Sequence, residues 1–196
     1  MSKPKVKNIK ILKDTKYLKL YDAEYINKVG NTRHWSIASR KSLEHLNDKF
    51  FSGKEDKIDA VIIVPVHIKE NKLVLVKQFR IPINDYVYEL PAGLVDSGEE
   101  FHETVKRELK EETGLDLVKI DYENSKDKVY VSTGMTDESV AMVYCTCEGN
   151  TSKDYLEEDE DIEVILVSKK EAKSLIKSDK KMDVKTLMAM QKFILE

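Results

Sequence analysis

Three glutamates, Glu108, Glu111 and Glu112, crowd into five consecutive positions of the stretch GLVDSGEEFHETVKRELKEETGL, Gly93–Leu115. The stretch carries the marks of a helix. Ser97 followed by Glu100 forms a candidate capping box, Gly114 supplies a C-terminal stop, and Phe101, Val105 and Leu109 recur every fourth residue as an apolar stripe. Like charges three and four residues apart on a helix cost about 0.2–0.5 kcal/mol per pair, so the crowding needs a physical reason. At about 100° per residue, Glu108 falls at the edge of the stripe, Glu112 within its continuation and Glu111 just beyond Glu108. The helical phase therefore points these acids towards the rest of the domain. Carboxylates gathered in a partly dry cleft lose charge by protonation. A hard divalent cation such as Mg²⁺ or Mn²⁺, which prefers oxygen ligands, removes that conflict. An ordinary solvated face on a Lys/Glu-rich helix is the other reading that the residues alone leave open.

The surrounding pattern places this helix inside a sheet. Ile58–Ile68 (IDAVIIVPVHI) is an apolar, β-branched run of the kind that forms a buried strand. NKLVLVKQFR follows as a second strand, and DYVYELPAG alternates briefly before breaking at Pro91. After the helix, DKVYVS, ESVAMVYCTC and DIEVILVS read as strands, and KKEAKSLIKS and DVKTLMAMQKFILE as helices. Residues 1–53 look like a separate β-rich piece. KYLKLYDAEYINKVGNTRHWSIASR holds two strand-like stretches around a turn at Gly30 and Asn31, and KSLEHLNDKFFSGKEDK reads as a polar connector. The expected architecture is α/β, a mixed sheet flanked by helices and preceded by a small N-terminal β domain, with boundaries at 1–53 and 54–196.

The chain has 196 residues, enough for one domain with a small appendage. Charged residues reach 35%, yet the signs nearly cancel at −3, so no positive field argues for a nucleic-acid partner. The basic N-terminus lacks an apolar core and does not read as a signal peptide. The longest apolar run, AVIIVPV, is too short to span a bilayer. Cys145 and Cys147 do not support a disulfide framework. A cytoplasmic protein with no membrane partner is the expectation. The four histidines, 34, 45, 67 and 102, lack zinc-ligand spacing.

The pattern G-x5-E-x7-R-E-U-x-E-E-x-G-U, with U a bulky apolar residue, is the signature of the Nudix hydrolases. This sequence resembles it at every position: Gly93, Glu99, Arg107, Glu108, Leu109, Glu111, Glu112, Gly114 and Leu115. The resemblance implies a loop–helix–loop on an α/β/α sandwich and hydrolysis of a nucleoside diphosphate linked to another moiety. It further implies that Glu108, Glu111 and Glu112, with the backbone carbonyl of Ala92, hold Mg²⁺ or Mn²⁺, and that Arg107 organises the helix by pairing with Glu99.

The flanks resemble the ADP-ribose and ADP-sugar pyrophosphatases of that family, through Gln78-Phe79-Arg80, the Glu89-Leu90-Pro91-Ala92-Gly93 entry to the box, and GNTRHWSIASR upstream. That likeness implies Trp35 stacking on adenine, Arg40 as a further substrate contact and Arg80 gripping phosphate oxygens. Glu89 orients substrate, assists the metals or is structural. Within LEEDEDIEVILVS, Glu158 is the first candidate and Glu160 the second for the residue that activates water; a solvated acidic loop is the alternative. Thr133 stands where the group commonly has proline, which opens the substrate to other ADP-sugars. The expected product pair is AMP and ribose 5-phosphate. Two alternatives stay open: a pyrophosphatase for another nucleotide sugar or a nucleoside triphosphate, and a non-catalytic ADP-ribose sensor. The resemblance also implies a homodimer built through residues 1–53.

Overall fold

The computed structural model describes residues 5–156 and 160–196. The chain packs as two compact units, Met1–Asp59 with Val129–Val140, and Ala60–Lys128 with Ala141–Glu196.

The first unit is built on a three-stranded antiparallel sheet in the order β1 (Lys5–Asp14), β2 (Lys19–Ile26) and β3 (Thr32–Ser39). The turn expected at KVGN joins β2 to β3. Asn27 closes it by accepting bonds from the backbone N–H groups of Val29 and Asn31. Strand β1 was not anticipated. Its pairing with β2 slips at Val6/Asn8 and again at Ile11/Lys13, and such bulges break the period-2 alternation by which a strand is read. The polar connector also holds structure: α1 (Leu43–Asn47), whose Ser42 cap accepts from His45 N–H, and a single π-helical turn over Asp48–Ser52. Five residues are too few to show helical periodicity. Ile9, Tyr21 and Leu46 form the core of this unit, with Ile37, Leu43 and Phe50 packed against them.

The large sheet contains, among the described residues, β4 (Ala60–His67), β5 (Lys72–Arg80), β6 (Asp85–Glu89), β7 (Ala92–Leu94), β8 (Asp116–Tyr130), β9 (Ser139–Glu148) and β10 (Ile162–Val167). The strand order is β10-β5-β4-β9-β8, with β6 paired to β5 and β7 to β4. Val61–Val64 and Leu73–Val76 are buried whichever way they point, so the central strands are covered on both faces. Helix α2 (Phe101–Thr113) packs on β4 and β7, α3 (Lys169–Ile176) on β10, and α4 (Val184–Leu195) on β5 and β6. The α/β class and the small N-terminal sheet are as expected.

Two local expectations need correction. Strand β8 begins at Asp116, well before DKVYVS. It is the last strand in the order and largely exposed, so no clean alternation marks it. The N-cap of α2 is Glu100 and not Ser97. Glu99 is spent on a preceding turn, its N–H bonding Asp96 O and its carboxylate accepting from Asp96 N–H. The helix then starts one residue on, with Glu100 and Glu103 forming the reciprocal box.

Candidate active site

Helix α2 buries Thr104, Val105, Leu109, Glu112 and Thr113, so Glu112 sits inside the apolar stripe. It is only 4% exposed, and its carboxylate accepts a 3.0 Å bond from the backbone N–H of Ala92 on β7. Burial, opposed by that bond and reinforced by the negative charges of Glu108 and Glu160, pushes its pKa up to about 8. Glu108 lies one helical turn back, mostly buried, and burial raises its pKa too. Glu111 is more open to solvent.

Arg107 ties this cluster together. Its guanidinium donates to Glu99 at 3.0 and 3.1 Å, to Glu108 at 2.7 Å, to Glu111 at 3.0 Å and to the carbonyl of Leu94 at 3.0 Å. The Arg107 bonds, aided by Thr104 Oγ1, hold the Glu99 carboxyl down at about 2. Arg107 therefore fastens the loop before α2 to the helix, with its donors already committed. Gly93 on β7 explains its own identity. A Cβ there would fall 1.8 Å from the carboxyl carbon of Glu108, so only glycine leaves room for that side chain.

The hairpin of β5 and β6 supplies a second group. Its register, with Val76 opposite Glu89 and Arg80 opposite Asp85, puts Arg80 and Glu89 on one face. Arg80 donates to Glu89 through Nε at 3.0 and 3.1 Å and through Nη2 at 2.5 Å. Burial opposes the Arg80 charge, but the Glu89 pair outweighs it and raises its pKa; Glu112 adds to that field. Arg80 and Glu89 line a cavity of about 580 Å³ together with Val87, Lys181 and Asp183. Lys181 and Asp183 had no sequence signal, since backbone bonds to Tyr88 bring them to β6 from the far end of the chain.

Trp35 and Arg40 belong to the first unit. Trp35 is 52% exposed and its Nε1 donates to the carbonyl of Gly134 at 3.1 Å. It lines a cavity of about 280 Å³ with Phe50, Tyr130, Thr133, Met135 and Asp137 among its walls. Arg40 pairs with Glu138 at 3.3 Å. Glu158 lies outside the described residues. Glu160 is described, and its negative charge is felt by both Glu108 and Glu112.

Among the described residues, no three His, Cys, Asp or Glu side chains are closed up into a finished metal-ligand set. The donor chemistry nonetheless fits a hard divalent cation. Glu108, Glu111 and Glu112 offer oxygens, and the buried Glu112 resists ionising until a positive charge is near.

The NUDIX domain profile matches residues 56–187. The chain belongs to the Nudix family. It is 38% identical over 147 residues to an ADP-ribose pyrophosphatase of Bacillus subtilis, covering 71% of this chain and 77% of that one. It is 33% identical over 107 residues to an ADP-sugar pyrophosphatase of Mus musculus, covering 53% of this chain but only 44% of the mouse protein. A solved ADP compounds hydrolase aligns with a TM-score of 0.73 over 97% of this chain and 92% of its own. At 17% identity that likeness is one of fold. The Nudix box thus occupies the β7–α2 segment, and no helix among the described residues is long and apolar enough to cross a membrane.

Proposed function

We propose that this Nudix protein hydrolyses the diphosphate linkage of ADP-ribose, or a related ADP-sugar, to AMP and the sugar phosphate, which for ADP-ribose is ribose 5-phosphate. The observation that carries the reading is Glu112, a carboxylate held nearly out of solvent by the Ala92 amide and beside two further acids. Glu108, Glu111 and Glu112, with the carbonyl of Ala92, would hold Mg²⁺ or Mn²⁺. A cation held by these groups would supply positive charge against the diphosphate and would make water at the site more acidic.

The chain's own groups do the rest. Arg107, locked by Glu99 and Leu94 O, holds the helix and its acids in register. Arg80 presents a planar fork to phosphate oxygens, with Glu89 fixing its orientation. Glu158, or failing it Glu160, orients and deprotonates the attacking water. Trp35 stacks on adenine, worth about 1–3 kcal/mol by comparison with other base–indole stacks. Arg40, held by Glu138 on the same unit, is a further substrate contact. The names of the Bacillus subtilis and mouse relatives support the substrate class. A second reading, another nucleotide sugar, is favoured by Thr133, whose side chain lines the Trp35 cavity in place of the group's usual proline.

The test is a substrate panel of ADP-ribose, ADP-glucose and ATP with Mg²⁺ or Mn²⁺, with products counted. ADP-ribose should give AMP fastest, and Glu112→Gln should cut turnover by orders of magnitude without unfolding the protein. A zero rate with tight ADP-ribose binding would make the protein a sensor instead. We further propose a cytoplasmic homodimer joined through residues 1–53, with 54–196 as the catalytic domain. Exposed Leu12, Leu18 and Leu20 on the first unit and the two buried free thiols support that picture; a monomer mass by light scattering would overturn the dimer.

A further inference from the structure

One wall of the Trp35 cavity comes from far along the chain. Segment Val129–Val140 carries Thr133, Met135 and Asp137 to the cavity. Neutral bonds hold it near its tip: Trp35 Nε1 to Gly134 O, and Ala38 N–H to Met135 O at 2.9 Å. Its far end is held differently, by charge. Asp137 receives Lys41 and Lys49, each at 3.3 Å. Lys41 also reaches Asp56 at 2.8 Å and Asp59 at 3.1 Å, and Asp59 in turn accepts from Ser139 N–H at 2.8 Å. Lys49 and His45 complete the group on Asp56, both at 2.7 Å.

Lys41 is the hub of this cluster. Its side chain is 8% exposed, and its backbone carbonyl is fixed by the hydroxyl of the core residue Tyr21 at 2.7 Å. Its pKa is pushed up to about 12 because the three aspartates outweigh its burial, so it is charged at any working pH. Lys41 does not itself line the Trp35 cavity, whereas its partner Asp137 does. Removing Lys41 takes away a positive charge that Asp56, Asp59 and Asp137 share. Asp137 would then keep Lys49 and lose Lys41, and the cavity wall that bears it would shift.

We propose that Lys41 is a positioning residue for nucleoside binding: through Asp137 it sets the distance between Trp35 and the wall formed by residues 133–137. The proposal rests on the reading of Trp35 as the base-stacking residue, and extends it to a side chain that never touches the ligand.

Trp35 is the sole tryptophan of the chain, so intrinsic fluorescence reads this cavity directly. Three quantities are measured on the full-length protein: Trp35 emission and acrylamide quenching without ligand, AMP affinity by Trp35 quenching, and KM and kcat for ADP-ribose. Folded Lys41→Met should show red-shifted, more quenchable emission, with AMP Kd and KM raised about tenfold and kcat within about twofold of wild type. Lys41→Arg, which keeps the charge, should restore most of the affinity. Unchanged emission, Kd and KM in folded Lys41→Met would overturn the proposal, as would equal losses in the Arg variant. If Lys41→Met does not fold, Asp137→Asn carries the same readouts, because it removes a negative charge and leaves Lys41 paired with two aspartates; unchanged emission there is equally fatal. Should AMP fail to quench wild-type Trp35 while the Met variant still shifts emission, the base-stacking reading falls and the positioning of the wall stands.

Discussion

Glu112 is the residue on which stability and the proposed metal binding pull in opposite directions. An ordinary glutamate titrates near 4.5, and burial has lifted this one to about 8. The folded state therefore holds its proton more tightly than the unfolded chain. That contribution is full below pH 4.5 and is lost as pH rises through about 8. Chelator-treated protein should accordingly melt lower at pH 8.5 than at pH 5.5. Glu112→Gln should flatten that slope, and Mn²⁺ should raise the melting temperature most at the alkaline end. Differential scanning calorimetry at the two pH values checks all three outcomes. Gly93 makes a separate prediction. In Gly93→Ala the new methyl overlaps the Glu108 carboxyl, which is the free end of a flexible side chain and can swing aside. The fold should survive with a small change in melting temperature, while turnover falls by about 10–100-fold because the group proposed to hold the metal is displaced.

At the scale of the element, α2 depends on its two ends. Its C-terminus is closed by Gly114 at φ +76°, with the N–H of Gly114 bonded to Lys110 O at 2.8 Å. A Cβ at that position would meet the backbone nitrogen of Ser152 at 2.5 Å, and backbone cannot step aside as a side-chain tip can. Gly114→Ala should cost about 1–3 kcal/mol from the left-handed conformation alone, with the clash added, and should shift the urea midpoint downward. Much of α2 was legible beforehand because its apolar spacing and terminal glycine are local signals. Its start was not, since Ser97 looked the better cap until the Asp96–Glu99 turn claimed the intervening residues. Strand β8 was half-seen for a related reason: an exposed edge strand has no buried face to impose alternation.

At the scale of the whole molecule both units lose stability in acid, the second through Glu99, and Glu112 adds an alkaline loss to the second. In the first, Asp56 and Asp137 are held below the usual carboxylate range: burial works against their charge, but Lys41 and Lys49 outweigh it, helped by His45 on Asp56 and Ser39 on Asp137. A depressed pKa gives stability that is present above the ordinary value of 3.8 and lost as pH falls below it. In the second unit, metal-free Glu112 loses stability on the alkaline side. Urea titrations followed by Trp35 fluorescence, which reports the first unit, should show the midpoint dropping below about pH 4. Helical circular dichroism, which comes chiefly from α2, α3 and α4 of the second unit, should show its midpoint highest in mild acid when the metal is stripped. Identical pH profiles for the two probes would refute this division.

The order and spacing of residues determined a great deal unaided. The nine positions from Gly93 to Leu115, the phase that turns Glu112 inward and the β-branched runs of β4 and β5 are all short-range patterns, and short-range patterns survive in a one-dimensional string. What only the tertiary structure decided is long-range: that Arg80 pairs with Glu89 across a hairpin, that Lys181 and Asp183 line the same cavity, and that Asp56, Asp59 and Asp137 meet on Lys41. None of these meetings is written in the spacing of the residues. Folding brings the partners together, and the burial and pairing that result shift the pKa values of Arg80, Lys41, Asp56 and Asp137; both are properties of the folded packing.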